Sequence, residues 1–169
     1  MPSPMRTPLA TFVILLALVV CSIADGPLAF QAPEGWKVEH KKTGIDFYAV
    51  TGKTPDEGLL MFSPWPVPAK PEEIPAMVQH LADRFKEQAK KGSEFSLAGE
   101  EPRVEPFAGE NCSGSYASFQ LATSSGKSAV QTMFMMTVDG KVWNGQFTGS
   151  LDAWKQAFKL LKSIRKEGP

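Results

Sequence analysis

Residues Val130 to Val138 are apolar on both alternations of an extended strand. Val130, Phe134, Met136 and Val138 share one face with Thr132, and Met133 and Met135 occupy the other. A strand with one wet face alternates apolar with polar; a strand apolar on both faces is covered on both. The chain must therefore supply two covering layers, and two segments have the form to do so. Residues 71–91 place Ile74, Met77, Val78, Leu81, Ala82, Phe85 and Ala89 at steps of three, one and four, a single stripe at helical period. Glu72 and Glu73 open that segment, with Pro75 in or just past its first turn. Lys90 and Lys91 close it before Gly92, which matches the helix dipole and a glycine stop. Residues 151–165 carry a second stripe through Leu151, Trp154, Ala157, Phe158, Leu161 and Ile164, with Ser150 as N-cap and Asp152 in the first turn.

The remaining segments read as short strands. Trp36 to Glu39, Ile45 to Val50 and Gly58 to Ser63 are bounded by Gly and Pro. Ser63-Pro-Trp-Pro-Val-Pro-Ala-Lys-Pro71 follows the third of them. Alternate prolines fix φ and remove backbone donors, so this is a stiff extended loop that cannot be a central strand. Two placements of its Trp65 stay open: displayed to solvent as a contact residue, or folded back on the sheet edge. After the first helix come Phe95 to Phe107, interrupted near Gly99 and Pro102, and Ser113 to Ala122, with Ser115, Ala117, Phe119 and Leu121 on one face. The two-sided strand is next, and Asp139-Gly140 is a tight-hairpin signal leading into Lys141 to Phe147. The predicted order is βββ-α-ββββ-α. The fold class is α+β, a three-layer α/β/α sandwich around an antiparallel sheet of about six to seven strands.

A leader precedes this domain. Arg6 is followed by the unbroken apolar run Leu9 to Val20 and the small-residue exit Ser22-Ile23-Ala24. A basic head, a short apolar core and such an exit make an export signal. Residues 1–24 are the expected signal peptide and 25–169 a single domain. Cys21 offers a second route, lipidation, although Leu18-Val19-Val20-Cys21 has Val where a small residue is usual. Without the leader, 17 Lys and Arg stand against 18 Asp and Glu, because Arg6 is its one charged side chain. No basic excess is gathered for nucleic acid. Lys86, Lys90 and Lys91 are interspersed with acids, and Lys159, Lys162, Arg165 and Lys166 close the second helix. Cys112 alone remains in the domain, so no internal disulfide forms, and a buried inert thiol is the expected state.

The chemistry-bearing residues are sparse. His40 lies in Glu39-His-Lys-Lys42, which reads as a turn, and His80 lies beside the first helix's stripe. Neither has another His or Cys at ligand spacing, which argues against zinc. The acids Asp56-Glu57, Glu72-Glu73, Asp83 and Glu100-Glu101 are scattered over turns and helix surface. Gly109 to Gly114 lacks the Lys-Ser/Thr of a phosphate loop. Met133, Met135 and Met136 invite a soft-metal reading, but strand alternation accounts for them as packing.

Four stretches carry a family resemblance: the opening Phe30-Gln-Ala-Pro-Glu-Gly-Trp36, the long helix after the third strand, the late hairpin Val138-Asp-Gly-Lys-Val-Trp143, and the ending Leu160-Leu-Lys-Ser-Ile-Arg165. Together, over residues 30–166, they resemble the PsbP-type superfamily. It includes the photosystem II extrinsic subunit, a Ran-binding nuclear-transport factor and many small exported bacterial proteins. The resemblance implies the PsbP-like fold and brings no catalytic motif. The expected function is a non-enzymatic binding or accessory domain, exported to the bacterial periplasm or outside the cell. Its partner would be a protein or cell-envelope component, with no cofactor, no metal and no nucleic acid, and with membrane contact only through a lipidated Cys21. Trp65 is the candidate binding residue. Two alternatives stay open: an envelope hydrolase whose site is assembled from distant residues, and a lipid-anchored structural lipoprotein.

Overall fold

The computed structural model describes residues 27–168 apart from residue 55 and residues 92–94. The expected leader with Cys21, and the glycine stop at Gly92, lie outside the described residues. In chain order the elements are β1 (Leu28–Ala29), β2 (Lys37–Lys42), β3 (Asp46–Thr51), β4 (Gly58–Pro64), a 3-10 turn (Pro71–Glu73), α1 (Ile74–Lys90), β5 (Phe95–Ala98), β6 (Glu105–Ala108), β7 (Cys112–Thr123), β8 (Ser128–Val138), β9 (Lys141–Gly149), α2 (Leu151–Ser163) and β10 (Arg165–Lys166). Eight strands form one antiparallel sheet in the order β2-β3-β4-β9-β8-β7-β5, with β6 also on β7. β8 and β9 are joined through Asp139 (φ 50°) and Gly140 (φ 75°), the left-handed pair that a two-residue hairpin turn needs.

β8 is buried on both faces, as its composition requires. Val130, Phe134, Met136 and Val138 enter a core built with Trp154, Ala157, Leu160 and Leu161 of α2. Met133 and Met135 enter a second core with Ile74, Val78 and Ala82 of α1, joined by Ala117, Phe119 and Leu121 of β7. The helices therefore pack on opposite faces of the sheet, and the three methionines serve as packing in both cores. Ser150 caps α2, its hydroxyl accepting the Ala153 N–H at 3.2 Å. Among the described residues no helix is long and apolar enough to cross a membrane.

Four expectations are corrected. The segment Phe95 to Phe107 is two strands, because Gly99 (φ 79°) and Pro102 break it; both halves then share the one edge of β7 that β8 leaves free. That split makes the sheet eight-stranded. His40 is not in a turn. Residues 37–42 pair through their whole length with β3, and His40 stands opposite Tyr48. The second helix stops at Ser163. Ile164 is extended (ψ 132°) and fully buried, which directs Arg165–Lys166 into a two-stranded pairing with β1. The strand expected from Trp36 to Glu39 is β2, which begins one residue later and runs to Lys42; the charged side chains of Lys41 and Lys42 are exposed at a sheet edge, where charge is tolerated.

The α2-side core fixes two titratable groups. Cys112 is buried, its Sγ facing the Leu161 carbonyl at 3.2 Å, and burial pushes its ionisation up, as expected of an inert thiol. Tyr116 donates its hydroxyl to Glu105 at 2.7 Å. Burial first, and the Glu105 carboxylate second, push its ionisation up to about 12.

Two outcomes follow from this packing. Trp154 lies between Tyr116, Phe147 and Phe158, so Trp154→Asp buries an unpaired charge; circular dichroism of the variant should show no cooperative unfolding transition. Tyr116 holds its proton more tightly folded than unfolded. Its contribution to stability is therefore intact below pH 10.0, the unfolded value, and is lost as pH rises towards about 12. In a spectrophotometric titration, Glu105→Gln should move the Tyr116 ionisation down.

Candidate functional site

α1 lies over β5, β7 and β8, so among the described residues no helix covers the same face of β3, β4 and β9. The proline-rich segment crosses the border of that uncovered region. Its start is tied down by the Trp65 N–H, which donates to the Val142 carbonyl at 2.9 Å. Its end is tied by a reciprocal pair: Lys70 N–H donates to the Glu73 carboxylate at 2.7 Å, and Glu73 N–H donates to the Lys70 carbonyl at 3.0 Å. Between the ties Pro66 and Pro68 leave no N–H to satisfy. The segment is thus held at both ends and stiff between them.

Trp65 takes the second of its two sequence placements. It folds back, half-buried, against the α1-side core. Met77 and Leu81 of α1 pack, partly buried, against the same core. The stripe of α1 is wider than the sheet below it. Ile74, Val78 and Ala82 are buried, while Met77 and Leu81, one step round the helix, remain half-exposed. Loop and helix margin enclose a groove of about 690 Å³, with Met135 at its floor, Ala69 and Ala76 in its walls and Val67, 58% exposed, at its lip. Glu72, Glu73 and His80 are the charged or titratable residues that line it. Leu81 also lines a second hollow of about 320 Å³ on the sheet, with Phe47, Met61, Ser63, Asn144 and Gln146. Local pattern places Trp65 on a loop and Met77 in a stripe; their meeting depends on where α1 sits on the sheet, which no local pattern states.

The two imidazoles are on opposite faces of the sheet. His40 stacks on Tyr48 with ring centroids 4.5 Å apart, and its Nε2 lies 3.0 Å from Asp46 Oδ1. Tyr48 belongs to the α2-side core, where burial pushes its hydroxyl ionisation up and the Leu28 N–H donates to it at 3.1 Å. His80 is exposed on α1 at the groove. The groove thus collects His80 with Glu72 and Glu73, which stand eight and seven positions before it along the helical segment. A rise of 1.5 Å per residue sets backbones seven apart at roughly 10 Å. The Glu73 carboxylate is turned to the Lys70 N–H. A base and the group that orients it need direct hydrogen-bond reach, which this arrangement does not give. Three of the other acids have separate partners: Asp83 accepts from Gln79 at 3.0 Å, Glu101 pairs with Lys86, and Asp56 lies 3.8 Å from Lys127. Among the described residues no cluster of three or more His, Cys, Asp or Glu is placed to hold a metal ion.

No family model and no curated protein matches the chain. Solved structures do. A cyanobacterial PsbP (CyanoP) from Synechocystis is similar with a TM-score of 0.53 and 15% identity, over 83% of this chain and 87% of that one. A crystal structure from Bacteroides thetaiotaomicron gives 0.46 and 12%, over 84% of this chain; this chain spans 46% of that one's length. LpqN of Mycobacterium tuberculosis, involved in cell envelope biogenesis, gives 0.41 and 11%, over 83% of both chains. At such identities the likeness to CyanoP concerns architecture, and it agrees with the sheet and paired helices described above: the chain has a PsbP-like fold.

Proposed function

We propose that this chain is an exported, non-enzymatic accessory domain that binds a protein partner through the Trp65 groove. The observation that carries the reading is the groove itself: an apolar trough of about 690 Å³ between a stiff loop and a helix margin, with Trp65, Met77 and Leu81 left half-exposed. Concave apolar sites with a few polar groups at the rim are where proteins take ligands. A half-buried tryptophan held by a pre-formed loop gives contact area at little cost in ordering. The dispersal of the titratable groups over separate partners and opposite sheet faces supports binding over a hydrolase assembled from distant residues. Export is read from the leader, residues 1–24, and the PsbP-like fold is compatible with an accessory role.

Two variants test the groove from opposite directions. Trp65→Ala removes one wall, and Ala76→Trp fills the trough from an exposed helix position. Used as bait in an envelope extract of the native organism, the wild-type protein should retain a partner that both variants lose by about tenfold or more, each folding with the wild-type circular dichroism spectrum. Equal retention by all three would refute the site.

A further inference from the structure

We infer that the Trp65 groove selects a cationic peptide segment: a short stretch of a partner protein that lays an aliphatic side chain on Trp65 and Met77 and sets a Lys or Arg against Glu72 and Glu73. The inference rests on the groove being a binding site and adds the charge of what it binds. Its ground is charge complementarity. Among the described residues no Lys or Arg lines the groove, while the exposed Glu72 and Glu73 both do. Glu73 accepts the Lys70 N–H through one oxygen, Oε2. The N-terminal end of α1 offsets part of the carboxylates' charge, but a helix terminus amounts to about half an elementary charge against two full ones. The rim stays negative.

The nearest bases do not cancel it. Lys141 is on the far side of the loop, in a separate hollow with Pro66 and Gly140, and lies over the Trp143 ring at 5.3 Å. Lys70 is exposed at the end of the loop and does not line the groove. A lysine or arginine side chain suits the sequence of surfaces that a ligand meets here. Its methylene stem covers apolar wall, and its head reaches carboxylate. The tryptophan ring adds an attraction of its own for a cation. A fatty acyl chain with an anionic head fits the trough but sets its head against Glu72 and Glu73, so a lipid of that kind is disfavoured.

The test uses three peptides with one Leu-Met core, flanked by Lys, by Gln or by Glu, titrated into ¹⁵N-labelled protein. The Trp65 indole N–H, assigned by its loss in Trp65→Phe, reports binding. The Lys-flanked peptide should bind about tenfold tighter than the Glu-flanked one, with the Gln-flanked peptide between them. The double variant Glu72→Gln/Glu73→Gln should bring all three within about twofold of one another, since Gln keeps an acceptor for the Lys70 N–H but not the charge. Raising salt from about 20 mM to about 500 mM should do the same in the wild type. Equal binding of all three peptides by the wild type would overturn the charge preference while leaving the groove as a site. A preference that survives in the double variant would overturn the assignment to Glu72 and Glu73. No response of the Trp65 indole to any peptide would overturn both the inference and the binding reading beneath it.

Discussion

Burial of β8 on both faces is the constraint to which the other elements answer. Adjacent residues of this strand belong to different cores: Phe134 and Met136 to the one closed by α2, Met133 and Met135 to the one closed by α1. A sheet strand with no wet face requires a layer on each side, and the chain supplies one helix for each. The flanking strands then inherit their environment from their distance to β8. β7 and β9 are its immediate neighbours, and β2 at the far edge carries Lys37, Lys41 and Lys42 exposed. Burying each large apolar side chain of these cores stabilises by roughly 1.5–3 kcal/mol, before the ordering of the chain is set against it.

The two covers are not equivalent, and the candidate site comes from the difference. The α2-side core spreads from Phe107 of β6 to Tyr48 of β3, across the whole sheet. The α1-side core is narrower, and α1 sits towards the β5–β7 edge. Its apolar stripe overhangs what the sheet beneath can bury. The proline-rich loop, anchored on the Val142 carbonyl at one end and on Glu73 at the other, runs alongside that overhang. A groove results between the two. Carboxylates stand exposed at the start of the α1 segment, while Lys155, Lys159 and Lys162 are exposed along α2.

What was legible in the sequence was local and periodic. Both helical stripes, the Ser150 cap, the Asp139-Gly140 hairpin and the two-sided strand each state their own structure within a few residues. The burial of the methionines followed from the same alternation, and that of Cys112 from its being the one cysteine of the domain. What was not legible depends on partners distant in sequence. β1 and β10 are two residues each and exist only because the chain ends meet. His40 reads as turn because Glu39 to Lys42 is polar; it is strand because an edge strand needs only one covered face, and Tyr48 supplies a surface for the ring. Trp65 was singled out from its proline frame, but the groove it forms with Met77 and Leu81 requires the lateral position of α1. The width of the α1 stripe, seven apolar positions where a narrower seam would close against a sheet, was the available signal.

Methyl NOEs from the two adjacent methionines of β8 test the two-sided burial most directly. With selectively labelled methionine methyls, Met135 should show cross-peaks to side chains of α1 and none to α2. Met136 should show the reverse. Cross-peaks from both methyls to the same helix would place the two covers on one side of the sheet, and the groove, the cores and the layer order would all fail together.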